Sequence, residues 1–175
     1  KQGESVNVWV TNDTLKEFKG KVVLKLQTLK GNVLSTAEQE VSVPVNSSRM
    51  VLSQKLEPST ENAIDKFFTA QLYSGDELLS LNTLFLKRFK HIDLPHPRFK
   101  VGIEEGTNER SFRVIVSSNV FAKAVHIKLP PHIGRSFYSD NYFDLFPRLK
   151  KTVLIKTEKK VPLDELKKLL KLRSV

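Results

Sequence analysis

The side chains able to move a proton near neutral pH are four histidines, His91, His96, His126 and His132. None falls in HExxH or another zinc-ligand spacing, so no metal site is expected. The chain has no cysteine, which removes thiolate nucleophiles, disulfides and thiolate-held metals together. Serines are plentiful, yet no GxSxG elbow presents one as a nucleophile. The glycines form neither a Walker loop nor a dinucleotide fingerprint, so no phosphate cradle and no cofactor is expected.

Carboxylates are the remaining candidates. Glycoside hydrolysis takes two carboxyl groups across the scissile bond, about 5 to 5.5 Å apart when configuration is retained. Glu104 and Glu105 are neighbours on a predicted strand and point to opposite faces. Asp140 and Asp144 flank Tyr142 and meet only if that segment turns or coils. All four are expected to be solvated or turn-capping groups, which leaves the chain without a catalytic residue. His126 is read as structural, on one strand face with Ala122 and Ala124.

Binding needs no proton transfer, and Trp9 is the residue that could serve it. Exposed aromatic rings stack on sugars, and large exposed apolar side chains also mark domain contacts. Val6, Val8 and Val10 claim the core face of their strand, which puts Trp9 on the other. It is either a sugar platform or, the preferred reading, a contact with a neighbouring domain. Asn12-Asp13-Thr14 and Asn46-Ser47-Ser48 match the short N-glycosylation pattern.

The elements that must hold these residues are strands. Val6, Val8 and Val10 alternate with Asn7, Trp9 and Thr11, the period-2 mark of a half-buried strand. Val22, Leu24 and Leu26 repeat it, and further strands are predicted over 37–43, 49–56, 67–74 and 77–88, with a tight hairpin at Ser74-Gly75-Asp76. The alternation stops around 90–98, where Pro95 and Pro97 cannot donate ladder hydrogen bonds, and this stretch is read as a linker. It restarts with Phe99, Val101 and Ile103, then Phe112, Val114 and Val116, then Val125, Ile127 and Leu129. Val153 and Ile155 point inward on another strand. Pro162 opens a short helix in which Leu163, Leu166 and Leu170 share a face, and 171–175 return to strand. Short strands punctuated by turns, without intervening amphipathic helices, predict an all-β protein. The expected architecture is two consecutive immunoglobulin-like antiparallel β-sandwiches, residues 1–92 and 93–175, with a short helix near the C-terminus.

Charge divides unevenly between these halves. Residues 1–92 carry a net charge of +2 and residues 93–175 one of +8. The lysines scatter over strands and the terminal helix without the aromatic motif of an RNA-binding sheet, so no nucleic-acid partner is expected. No apolar run approaches the roughly 20 residues that cross a bilayer, so no membrane partner is expected either. The start at Lys1, with neither Met nor a signal-peptide core, reads as a cut from a longer chain.

Two segments carry a family resemblance. Phe137-Tyr138-Ser139-Asp140-Asn141-Tyr142-Phe143-Asp144-Leu145-Phe146-Pro147, followed by a basic stretch and the strand Lys151–Ile155, resembles the C-terminal domain of β-mannosidases of glycoside hydrolase family two. The opening Gly-Glu-x-Val-x-Val-x-Val/aromatic-x-Asn, here Gly3 to Asn12, is similar to the immunoglobulin-like domain that follows their catalytic barrel. One departure is Arg148, where the pattern has glycine after Pro147, and it bears on the geometry of that turn. The resemblance implies a parent enzyme that removes terminal β-linked mannose with retention, using two glutamates on a barrel outside this chain. It implies as partners the barrel and N-terminal domains of the same polypeptide, a β-mannoside bound by the parent, and a secreted-type compartment (periplasmic, extracellular or lysosomal). Asp140, Asn141, Tyr142, Phe143, Asp144 and Pro147 are then structural motif residues. Tyr142 reads as a tyrosine-corner-like group. Tyr142, Phe143, Leu145 and Phe146 are expected mostly in the core, with a bend near Asp144.

Two other functions fit the same fold. A glycan-binding module would use Trp9 or Tyr138 as its platform, and a protein-interaction module would show a long unpaired edge strand.

Overall fold

The computed structural model of the chain describes residues 5–61 and 63–175. It divides into two compact units, residues 1–28 with 32–93, and residues 29–31 with 94–175.

In the first unit β1 (Ser5–Asn12) pairs antiparallel with β4 (Ser47–Lys55) as a two-stranded sheet. The other sheet holds four strands in the order β3 (Val33–Val43), β2 (Phe18–Thr28), β5 (Lys66–Ser74) and β6 (Glu77–Phe85). A single helical turn, α1 (Pro58–Glu61), joins β4 to β5. Period-2 alternation sends Val6, Val8 and Val10 into a core with Val22, Leu24, Leu26, Val41, Val43 and Phe68. Gly75, with φ of 57°, supplies the left-handed backbone that a two-residue hairpin turn between β5 and β6 needs. The second face of β2 and β5 is also withdrawn from water: Val23, Gln27, Phe67, Thr69 and Gln71 are buried. Phe67 stacks on Phe85 at 5.1 Å, and Phe89, in a 3-10 turn over Phe89–His91, lies 4.6 Å from Phe85. The strand expected to reach residue 88 therefore stops at Phe85, and the expected linker begins as a turn held by ring contacts.

The second unit has a four-stranded sheet in the order β10 (Ser136–Tyr138), β12 (Lys150–Thr157), β8 (Ser111–Ser118) and β7 (Phe99–Glu105). It faces a three-stranded sheet in the order β11 (Phe143–Leu145), β9 (Ala122–Lys128) and β13 (Lys171–Arg173). Val114, Val116, Val153 and Ile155 from one sheet meet Val125, Ile127, Phe143 and Leu145 from the other. The helix α2 (Leu163–Leu169) follows Pro162 and buries Leu166, with Leu163 and Leu170 packed partly against the same core. Asp164 and Glu165 sit in its first turn and Lys167 and Lys168 in its last, as its dipole favours.

The chain is thus all-β with one short terminal helix, in two immunoglobulin-like sandwiches. The alternation expected along β9 fails at one point. Ala124 has φ of 49°, and the register against β11 shifts there. This bulge turns Ala122 inward with Val125 and Ile127, so Ala122 does not share a face with His126.

Candidate functional site

In the segment from Tyr138 to Leu149 polar side chains meet the backbone of the neighbouring strands β9 and β12. Ser139 faces β12 at Leu154: its N–H donates to Leu154 O at 2.8 Å, and its Oγ accepts from Leu154 N–H at 2.9 Å. Asn141 faces β9 at Ile127, accepting from its N–H at 2.8 Å on Oδ1 and donating to its carbonyl from Nδ2 at 2.9 Å. That carboxamide reproduces the pair of bonds a neighbouring strand residue would make. Asp144 sits between buried Phe143 and Leu145, so its side chain points to the opposite face. Its Oδ1 accepts from the bulged Ala124 N–H at 3.0 Å, and its Oδ2 holds Lys123 Nζ at 2.7 Å. Asp140 pairs with Lys151 at 2.5 Å.

Two expectations about this segment are overturned. Tyr142 is 65% exposed and does not serve the core. Its φ of 61° makes the bend expected near Asp144, two residues ahead of it, and its ring stacks on His126 at 4.5 Å and 10°. Phe143 and Leu145 then continue as a regular strand. The tyrosine whose hydroxyl meets backbone is Tyr138, accepting from Leu129 N–H at 3.1 Å. Sequence reasoning placed Ser139 in the motif but missed Lys123 and Ala124 as members of this cluster. A left-handed alanine carries no signal, and the partners Lys123 and Asp144 are brought together only by β9–β11 pairing.

The arrangement ties this segment to the backbone of β9 and β12. Asp140 and Asp144 are each matched to a lysine, and Glu104 lies 3.7 Å from Arg113 on the exposed surface of β7 and β8. Glu109 and Glu158 sit below the usual carboxylate range. Lys160 bonds the first, and the backbone N–H of Arg135 followed by its guanidinium charge acts on the second. Among the described residues no group of His, Cys, Asp and Glu could hold a metal ion, and no helix is long and apolar enough to cross a membrane.

In the first unit Trp9 is 61% exposed and lies opposite Met50, itself exposed, across β1 and β4. Polar pairs flank them: Ser53 Oγ donates to Asn7 Oδ1 at 2.7 Å, and Thr11 Oγ1 to Ser48 Oγ at 3.0 Å. The two glycosylation patterns separate clearly. Asn12 is buried, its Nδ2 within 3.1 Å of the Lys16, Val43 and Pro44 carbonyls and its Oδ1 accepting from Thr14 Oγ1 at 2.7 Å. Its amide closes the β1–β2 loop over the end of β3. Asn46 stands exposed on the β3–β4 turn.

Comparison with known proteins places these sandwiches. Residues 4–91 match the family model of the mannosidase Ig/CBM-like domain, and residues 94–175 match a mannosidase Ig-fold domain. The chain belongs to the mannosidase Ig/CBM-like family. Among solved structures it is similar to the β-D-mannosidase of Dictyoglomus thermophilum, at 27% identity and a TM-score of 0.82. That likeness covers 99% of this chain and 20% of the other. An exo-chitosanase of Amycolatopsis orientalis shares the fold at 15% identity and a TM-score of 0.59, over 96% of this chain and 24% of that one. The chain thus spans about a fifth to a quarter of the length of these glycosidases. No curated protein matches it by sequence.

The turn at Arg148, marked in the sequence by its residue type, has a defined geometry. Leu149 N–H donates to Phe146 O at 3.2 Å, and Arg148 has φ of 68° behind Pro147. Proline at the second turn position with a left-handed residue at the third is the type II arrangement, which favours glycine. Arg148 thus holds a conformation that glycine favours. Of the mannosidase-like opening, Gly3 and Glu4 lie outside the described residues, and Val6, Val8, Val10 and Asn12 are buried.

Proposed function

We propose that the chain is the non-catalytic C-terminal part of a family-two β-mannosidase, whose whole polypeptide releases terminal, non-reducing β-D-mannose with retention of configuration. The observation that carries this reading is the alignment of nearly the whole chain, both sandwiches in order, with a β-D-mannosidase at 27% identity. Its partners are then the catalytic barrel and N-terminal domains of the same polypeptide, and the parent belongs to a secreted-type compartment. The motif residues Asp140, Asn141, Phe143, Asp144 and Pro147 serve the second sandwich as braces and core, and contribute no acid, base or nucleophile. The test compares two proteins on p-nitrophenyl β-D-mannoside. The full-length polypeptide turns it over and the 175-residue chain, free of host enzyme, does not. Inactivity of the correctly folded full-length protein on every β-mannoside tried, or turnover by the short chain, overturns the reading.

A glycan-binding role is the second reading, and the Trp9–Met50 pair between the Asn7–Ser53 and Thr11–Ser48 hydroxyl pairs favours it. Calorimetric titration of the chain with mannohexaose shows binding that Trp9→Ala abolishes if this face is a sugar platform. No heat at millimolar oligosaccharide leaves Trp9 as a contact with a neighbouring domain.

A further inference from the structure

The two sandwiches share a layout but differ by one strand. In the second unit β8 has β12 on one side and β7 on the other, and β7 immediately precedes β8 in sequence. In the first unit β1 occupies the place of β8 and pairs with β4, but no strand among the described residues pairs with its other edge from Val6 to Asn12. A cleft of about 540 Å³ opens there, lined by Val6, Val8 and Val10 of β1 and by Ala70, Leu72 and Leu84 from β5 and β6. The last three are only partly buried, whereas Val114, Val116, Val153 and Ile155 in the second unit are fully sealed.

Edge chemistry separates this border from the other long edges, the three-residue β10 being the one short edge that is likewise uncharged. Exposed edge strands are ordinarily protected from pairing by charges or prolines. Such charges are present in β3 (Glu38 and Glu40), in β4 (Arg49 and Lys55), in β7 (Lys100, Glu104 and Glu105) and in β13 (Lys171 and Arg173). β1 has neither charge nor proline, and β6, across the cleft, carries only Glu77 at its start. An uncharged edge that no neighbouring strand covers is suited to another strand.

We propose that β1 receives a further strand on this edge, supplied by the polypeptide directly ahead of residue 1, whose alternate apolar side chains close the cleft between β1 and β6. The layout of the second unit identifies the occupant: its corresponding strand, β7, is the one that precedes β8 and returns antiparallel to it. This inference rests on the reading above that the chain belongs to a longer polypeptide.

The test is hydrogen exchange followed by mass spectrometry on three proteins. They are the full-length polypeptide, the same polypeptide with the stretch ahead of residue 1 replaced by a Gly-Ser linker of equal length, and the 175-residue chain. Peptides from β2 and β5 report whether the first sandwich stays folded. The peptide spanning 5–12 is expected to exchange about tenfold more slowly in the full-length protein than in the other two, with β2 and β5 alike in all three. If the linker disturbs β2 and β5, a variant with one proline in that stretch removes a single ladder donor and gives the same comparison. Equal rates at 5–12 in all proteins overturn the proposal. So does slow exchange that survives the linker, because another occupant is then present. Hydrolysis of p-nitrophenyl β-D-mannoside, measured on the same full-length sample, keeps the two readings apart. Activity with an unprotected β1 refutes the strand alone, and a protected β1 without activity refutes the mannosidase assignment alone.

Discussion

Asn141 lies just ahead of a short strand and Asp144 at its middle, and each replaces a ladder hydrogen bond with a side chain. Asn141 engages both backbone groups of Ile127, and Asp144 satisfies the Ala124 N–H that the bulge releases from regular pairing. A buried or half-buried donor left without a partner costs about 1 to 3 kcal/mol. Asp144→Ala should therefore destabilise the second sandwich by about that amount in urea unfolding, while Asp144→Asn, which keeps a carbonyl acceptor and loses only the Lys123 pair, should cost clearly less. Equal losses in the two variants would place the effect in the ion pair instead. Arg148 invites the opposite experiment. A left-handed non-glycine residue costs about 1 to 2 kcal/mol, and glycine gives back about 0.5 to 1 through its unfolded-state freedom. Arg148→Gly should hold or raise the urea midpoint, by up to about 1 kcal/mol, and Arg148→Val should lower it.

At the scale of elements, alternation made most strands legible. Val6, Val8 and Val10, Val114 and Val116, and Val153 and Ile155 all lie on the core side as period 2 requires. Legibility ended where backbone leaves that period. The bulge at Ala124 and the left-handed Tyr142 are set by pairing between β9 and β11, which neither residue announces by type. β10 escaped notice because its three residues are too few to show a period. The motif itself was legible as a family feature, but its function as a set of side-chain braces depends on the distant residues Ile127, Ala124 and Leu154. Between those braces Phe143 is the principal apolar anchor, packed in the core and with Lys151 Nζ 5.5 Å from its ring centre. Phe143→Ala should cost about 3 to 5 kcal/mol, enough to unfold a sandwich of this size. Calorimetry should then show one thermal transition lost or shifted far down and the transition of the first sandwich retained. A single shifted transition for the whole chain would show that the sandwiches unfold together.

For the molecule as a whole, the division at residues 93 and 94 falls in a stretch whose two prolines and exposed His91, Asp93, His96 and Arg98 leave backbone open to a protease. Limited trypsin digestion should cut first after Lys90 or within 92–98, Arg98 being the next basic site, and release two folded fragments readable by mass and by circular dichroism. First cuts inside β2, β5, β8 or β12 would show that the linker is better protected than the sandwiches. Trp9 gives this two-body design an optical consequence. It is the single tryptophan, it belongs to the first unit, and its ring already meets water. Its emission will be that of a solvated indole in the native protein and will change little when β1 unfolds. The second unit contains no tryptophan, only Tyr138 and Tyr142. An unfolding curve followed through indole fluorescence alone would be nearly blind to the first sandwich and wholly blind to the second, and a flat trace would be mistaken for exceptional stability.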